Sequence, residues 1–277
     1  MRRLRLFVAL AALALLQGCS AVRVAYSNAD TLVRWQANSY FDFHDSASEE
    51  LDRRIGAFLG WHRAVALPQY AKLAGEAAAR VERGLTRADV DWLYATLEAQ
   101  AREGLRAAAA EAAPLLDRLE PAQLEHFEQR LREENRKFER ENLKGGRAER
   151  RQRRLKRTIE RLEDWVGALG AEQEELVRRY NDSAPMFIEL RDRDRKRRQA
   201  ELVAMLRARE ARKRLADWAA AWDRTREPAY EAAFREWRAA YAGMIADLDR
   251  TLTAEQRRAV AARLRGFAAD FEQLQRR

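Results

Sequence analysis

The stretch Thr86-Arg87-Ala88-Asp89-Val90-Asp91-Trp92-Leu93-Tyr94-Ala95-Thr96-Leu97-Glu98-Ala99-Gln100-Ala101-Arg102-Glu103-Gly104-Leu105 decides the fold class. Val90, Leu93, Tyr94, Leu97, Ala101 and Leu105 recur three or four residues apart, which puts them on one face of an α-helix. Thr86 stands where an N-cap belongs, with Leu85 and Val90 spaced as a hydrophobic staple. The same period appears on both sides. Leu51, Ile55, Phe58, Leu59 and Val65 form one stripe, and Val260, Leu264, Phe267, Phe271 and Leu274 form another. Strict apolar–polar alternation persists nowhere, so strands are not expected.

Composition agrees. The chain has 277 residues, 47% hydrophobic and 35% charged, with 12 Gly and 5 Pro. That is apolar enough for a packed core and too poor in turn residues for a β-sandwich. The periodicity predicts helices over 28–42, 48–66, 68–83, 87–112, 121–143, 147–168, 171–181, 185–225, 228–250 and 254–275. Pro68, Pro121, Pro185 and Pro228 stand where first turns would begin. The expected fold is an all-α, elongated multi-helix bundle, a single domain over 28–277.

Two segments lack an apolar face. Between Arg132 and Arg154 the bulky apolar residues are Phe138 and Leu143, and Gly145-Gly146 stands in the middle of the stretch. This predicts an antiparallel helical hairpin whose charged tip projects from the core. Its first arm is charge-balanced. Its second carries Lys144, Arg147, Arg150, Arg151, Arg153, Arg154, Lys156 and Arg157 against one acid, Glu149. Arg147, Arg150, Arg151 and Arg154 share a helical face, a candidate surface for anionic lipid or another anionic envelope polymer. The competing expectation pairs this arm with Asp192, Asp194 and Glu201. Those acids lie in the second segment, around Arg191–Arg198, inside one long helix of about 60 Å over 185–225.

The N-terminus reads Met1-Arg2-Arg3-Leu4-Arg5 and then eleven apolar residues, Leu6 to Leu16. Three arginines before a short apolar run make a secretion signal, and about 20 apolar residues would be needed to span a bilayer. Leu16-Gln17-Gly18-Cys19 follows. This resembles the lipobox of bacterial lipoproteins, with Gln17 where a small or aliphatic residue is usual. The resemblance implies cleavage after Gly18, lipidation of Cys19, residues 1–18 as a cleaved signal peptide and 19–27 as a lipidated tether. Ser20, in place of the aspartate that retains enterobacterial lipoproteins at the inner membrane, implies the periplasmic face of the outer membrane. Losing three arginines leaves 50 basic against 44 acidic residues, a net of +6. That mild excess, with secretion, argues against a nucleic-acid partner.

Catalytic patterns are absent from the sequence. The single cysteine permits no internal disulfide and no Cys-based metal cluster. His44, His62 and His126 form no HExxH or i, i+4 pair. There is no GxSxG, no phosphate loop and no GxGxxG. Carboxylates alternate with arginine as solvated faces. Trp165, Trp218, Trp222 and Trp237 sit in apolar stripes and read as core. No cofactor, no metal and no enzyme activity are expected.

Tyr26-Ser27-Asn28-Ala29-Asp30-Thr31-Leu32-Val33-Arg34-Trp35, Tyr40-Phe41-Asp42, Trp61-His62, Leu67-Pro68-Gln69-Tyr70 and Arg161-Leu162-Glu163-Asp164-Trp165-Val166-Gly167, together with the lipobox, resemble a family of Gram-negative lipoproteins known as a domain of unknown function. The resemblance covers nearly the whole mature chain and implies a helical, membrane-tethered periplasmic protein. Leu252-Thr253-Ala254-Glu255-Gln256 is similar to the repeat of the periplasmic LTxxQ chaperones. Leu119…Gln123 and Leu169…Gln173 lack the threonine, and Leu85-Thr86 lacks the glutamine. Capping chemistry alone writes this pattern at helix starts. The function expected is a non-catalytic interaction or scaffold lipoprotein with an unidentified protein partner. The alternatives are an LTxxQ-like, ATP-independent chaperone and a cell-wall-acting enzyme.

Overall fold

Thr86 and Thr253 cap helices as their spacing predicts. Thr86 Oγ1 accepts the Asp89 N–H at 3.2 Å while Asp89 Oδ2 accepts the Thr86 N–H at 2.9 Å. Thr253 and Gln256 exchange the same two bonds at 3.1 Å. Each box satisfies two backbone donors that the first turn leaves free.

The computed structural model describes residues 22–276. Among them are eleven α-helices and no strand, so the all-α multi-helix class holds. The helices are α1 (Ala29–Phe41), α2 (Asp45–Trp61), α3 (Leu67–Arg83), α4 (Arg87–Leu116), α5 (Pro121–Phe138), α6 (Arg147–Val166), α7 (Ala171–Ser183), α8 (Ile188–Arg207), α9 (Ala211–Ala220), α10 (Pro228–Arg250) and α11 (Ala254–Gln275). Two stretches, His62–Ala66 and Glu139–Leu143, are π-helical. No helix among the described residues is long and apolar enough to cross a membrane. The signal peptide and the lipobox Leu16-Gln17-Gly18-Cys19 lie outside the described residues.

Two apolar clusters hold the bundle. Leu51, Ile55, Leu116, Phe127, Met205 and Leu215 centre the first, joining α2, α4, α5, α8 and α9. Leu162, Val177, Tyr180, Met244 and Leu248 centre the second, joining α6, α7 and α10. Burying one such side chain contributes about 1.5–3 kcal/mol. Along α3, Ala71, Ala74, Ala77 and Ala78 are buried, and this helix lies against α11, where Ala261 is buried. The small side chains allow the two backbones to approach closely.

The structure corrects four expectations. Pro68 lies in the first turn of α3 but does not begin a separate helix. The chain stays helical from Asp45 to Arg83 because the Leu67 N–H bonds to His62 O, five residues back, across the π-helical stretch. That wider turn accommodates a ring that would strike the carbonyl four residues before it.

The long helix over 185–225 is two helices. α8 begins at Ile188 and ends at Arg207, about 30 Å by its 20 residues. Arg209 takes a left-handed φ of 54°, and the Glu210 N–H returns to Met205 O at 3.1 Å. Asp117, at the end of α4, then accepts the Ala211 and Arg212 N–H groups at 2.5 and 3.1 Å and starts α9. A cap donated from a distant helix leaves no local trace in the sequence.

The charged hairpin is not a projecting pair. α5 packs on α1 and α8, whereas α6 packs on α7 and α11, and the two arms do not run along each other. The exposed tip is short, Lys144 to Glu149, turned by Gly145 at φ 85°.

Residues 22–27, expected in the tether, are helical and docked. Arg23 pairs with Asp270 at 3.2 Å, and the Tyr26 hydroxyl lies 3.1 Å from His62 Nδ1.

Candidate functional site

α6 carries a stripe of arginines along a cleft, although Arg147 and Arg151 lie outside it. Arg150, Arg154, Arg157 and Arg161 follow the i, i+4, i+7, i+11 spacing of one stripe, about 16 Å long. With Arg153 and Arg191 of α8 they line a cleft of about 310 Å³. The facing wall is aromatic. Tyr94 of α4, Tyr180 of α7, Phe187, and Trp237 and Tyr241 of α10 all contribute. Trp237 organises that wall: Tyr94 meets it edge-on at 6.4 Å between centroids, and Tyr241 stacks on it at 5.5 Å. The π-helical stretch at the end of α5 brings Glu141 and Asn142 to the rim. Six guanidiniums therefore face one carboxylate.

The six divide by what they already hold. Arg154 is tied to the end of α7: it donates to Asn181 O at 2.5 Å, Pro185 O at 2.8 Å, Ala184 O at 3.0 Å and Asn181 Oδ1 at 3.0 Å. These satisfy carbonyls that a helix C-terminus leaves without partners. Arg150 bridges Glu189 at 2.5 Å and donates to Gly145 O at 2.8 Å. Arg153 donates to Lys144 O and lies 4.0 Å from Glu149. Arg157, Arg161 and Arg191 are exposed and have no ion pair or side-chain hydrogen bond to any described residue.

Burial governs the titration here. It pushes the Tyr94 and Tyr180 phenols up to about 12, and it raises Tyr241 as well. Burial also lowers Arg154 from the ordinary arginine value, but a guanidinium stays charged in proteins. At neutral pH the cleft is thus cationic, with neutral phenols opposite.

The basic arm named from the sequence is only partly this site. Arg150, Arg153, Arg154 and Arg157 line the cleft. Lys144 and Arg147 lie on the exposed tip, Lys156 points to Glu160 at 3.9 Å, and Arg151 is not part of the lining. Pairing with the acids of α8 occurs at one place, Arg150 with Glu189, and not with Asp192, Asp194 or Glu201. Asp192 is held by Arg195 and Lys196 at 3.0 and 2.7 Å, Asp194 by Arg197 at 2.7 Å, and Glu201 by Arg197 and the Trp218 indole N–H. Asp192 and Asp194 are buried, so the charged segment 191–198 packs inward through its aspartates.

Arg161, Arg191 and the aromatic wall are not read as site residues in the sequence, where Trp237 reads as core. Continuing the arginine stripe one turn would have reached Arg161. The wall assembles from residues 94 to 241 and has no local signature.

The histidines are engaged locally. His44 pairs with Asp42 at 3.1 Å, His62 meets Tyr26, and His126 lies 3.2 Å from Ser39 O. Trp165 is 38% exposed under the Arg263 guanidinium, which corrects its assignment to the core. Trp218 and Trp222 lie beneath Arg198 and Arg226. No group of His, Cys, Asp and Glu among the described residues is placed to hold a metal.

Fold and cleft together define an all-α protein with a cationic, aromatic-walled groove. The chain belongs to DUF6279, a family of unknown function whose profile matches residues 39–230. The matched region contains Trp61-His62, Leu67–Tyr70 and Arg161–Gly167, and it begins after Tyr26–Trp35. No curated protein and no solved structure matches the chain.

Proposed function

We propose that the protein is a lipid-anchored envelope lipoprotein that binds an anionic ligand in the α6 cleft without transforming it. The anchor rests on the lipobox ending at Cys19, and Ser20 after it is the basis for placing the protein on the periplasmic face of the outer membrane. The observation that carries the binding role is the set of guanidiniums without an ion pair or hydrogen bond to a described residue, Arg157, Arg161 and Arg191, lining one groove with an aromatic wall. Guanidiniums that make no ion pair or hydrogen bond within the protein gain most from an anionic ligand. A groove of about 310 Å³ is at the small end of ligand sites. Its single lining carboxylate, Glu141, gives no acid–base pair of the kind a cell-wall hydrolase would need.

Two experiments test the reading. Labelled fatty acid should enter the wild-type protein and not Cys19→Ala, and equal labelling would remove the anchor. Sodium tripolyphosphate should raise the melting temperature of the full chain in detergent at low salt, and less at high salt. Binding at about 100 times the dissociation constant contributes about 2.7 kcal/mol. No shift with tripolyphosphate or glucuronate would remove the binding role.

A further inference from the structure

The N-terminal half of α1 has nothing packed over it. Residues 30–36 are all exposed, and no residue of the helix is fully buried. Its other half is held, because Ala37, Tyr40 and Phe41 pack against the first apolar cluster. Val24, Leu32, Val33 and Trp35 are four of the eight large apolar side chains exposed among the described residues, and they fall within one short stretch. The other four are spread over three other elements. Single apolar residues are ordinary on a surface, whereas a concentration of them marks a contact. Trp35, at 68%, is the most exposed of the eight.

Charge on this helix is turned the other way. α1 carries two charged residues, Asp30 and Arg34. Arg34 pairs with Asp52 of α2 at 2.6 Å, and Asp30 lines a cavity with Gly56 and Gly60 of the same helix. At about 3.6 residues per turn, Leu32 and Trp35 stand together on the side opposite that charged pair. The anchor decides what lies nearest to this face. Cys19 is three residues before Val22, a span of at most about 11 Å. Val22 begins a helical segment tied to the body through Arg23 with Asp270 and Tyr26 with His62. Trp35 lies at most about 20 Å farther along at helical rise. A lipidated Cys19 therefore holds a bilayer surface within reach of the bare face.

We propose that this face of α1 docks on the bilayer in which Cys19 is anchored, with the Trp35 ring and Leu32 entering the head-group region. This rests on the lipid anchor proposed above and gives it a second contact. Tryptophan favours that depth because its ring is apolar while its indole N–H stays wet. The tether supplies a high effective concentration, so a contact too weak to recruit a free protein suffices for one already anchored.

Quenching by brominated lipid tests this. The full chain is expressed with labelled fatty acid, and the processed protein is purified from membranes. It is then reconstituted in phosphatidylethanolamine–phosphatidylglycerol vesicles with or without bromine in the upper acyl chain. Bromine there quenches indoles that enter the bilayer. Wild-type fluorescence should fall in the brominated vesicles. Trp35→Phe should lose that fall, and Trp165→Phe, which removes the other exposed tryptophan, should keep it. Leu32→Asp leaves every tryptophan in place and should also lose the quenching. Its circular dichroism and melting should stay as in wild type, because Leu32 is 54% exposed.

Labelled protein in which wild type and Trp35→Phe are quenched equally, or neither is quenched, overturns the docking and leaves the anchor standing. Protein that carries no label overturns the anchor and the docking with it. Once Cys19 is lipidated, Gln36→Cys carries the one free thiol of the chain. Labelled, unquenched protein whose Gln36→Cys variant oxidises to a dimer assigns the face to a second copy and overturns the bilayer as its occupant.

Discussion

Replacing Arg154 with Gln should destabilise the protein strongly, although the residue lies in a cleft and belongs to the most basic segment of the chain. The guanidinium makes four hydrogen bonds, three to carbonyls at the end of α7 and its following turn and one to the side chain of buried Asn181. A hydrogen bond involving a charged group contributes about 1.5–3 kcal/mol, and removing one partner of a buried charged network costs about 3–5 kcal/mol. Water in the adjacent cleft can rehydrate part of what is exposed, so the lower end applies, about 3 kcal/mol. At about 2–4 °C per kcal/mol this lowers the melting temperature by about 6–12 °C. Arg154→Lys should be nearly as harmful, because one ammonium cannot reproduce a planar fork spanning Asn181 and Pro185. Thermal unfolding followed at 222 nm reads both, with Arg157→Gln as control. Arg157 has no partner, so its variant should stay within about 0.5 kcal/mol of wild type. If Arg154→Gln and Arg157→Gln melt alike, the division between structural and free arginines is wrong.

Two further outcomes follow from the fold. Asp89 is buried, which alone would raise its pKa, but hydrogen bonds from Thr86, Arg80 and Arg83 outweigh this and hold the carboxyl well below the usual carboxylate range. Its contribution is therefore present above the unfolded-state value near 4 and is lost as pH falls toward the folded value. Asp89→Asn should unfold at lower urea than wild type at pH 7, and the gap should narrow below about pH 4; a constant gap would contradict the ionic origin. Asp117→Ala removes the cap of α9 and should cost about 1–2 kcal/mol in urea titration, and an unchanged midpoint would show that the α8–α9 break is held by the chain turn alone.

Local signals were legible in the sequence and tertiary ones were not. The Thr86 cap, the Thr253–Gln256 box and the Gly145-Gly146 turn are written within a few residues, and the structure places each as the spacing implies, with Asp89 closing a box at Thr86 that the sequence reading does not include. Gln173 and Gln256, read as the cap glutamines of two similar helix starts, also bond to each other at 2.9 Å, a contact across 83 residues that no spacing announces. Segment 191–198 reads as solvated because nothing local tells a buried aspartate from an exposed one. The distinction is made by Glu227, whose N–H donates to Asp194 at 3.0 Å from the far end of a loop. The candidate site shows the same limit. Its arginine stripe follows from helical spacing, but which guanidiniums remain free depends on where α7 ends and where Glu189 falls.

Peptide-mapped modification of the full chain with phenylglyoxal tests the central claim most directly. The reagent attacks accessible guanidiniums, so Arg157, Arg161 and Arg191 should react faster than Arg150 and Arg154, which are held by carbonyls. Sodium tripolyphosphate should then protect those three and leave Arg147 on the exposed tip reactive. Protection spread evenly over the exposed arginines, or centred on Arg147, would contradict a defined anion site in the α6 cleft.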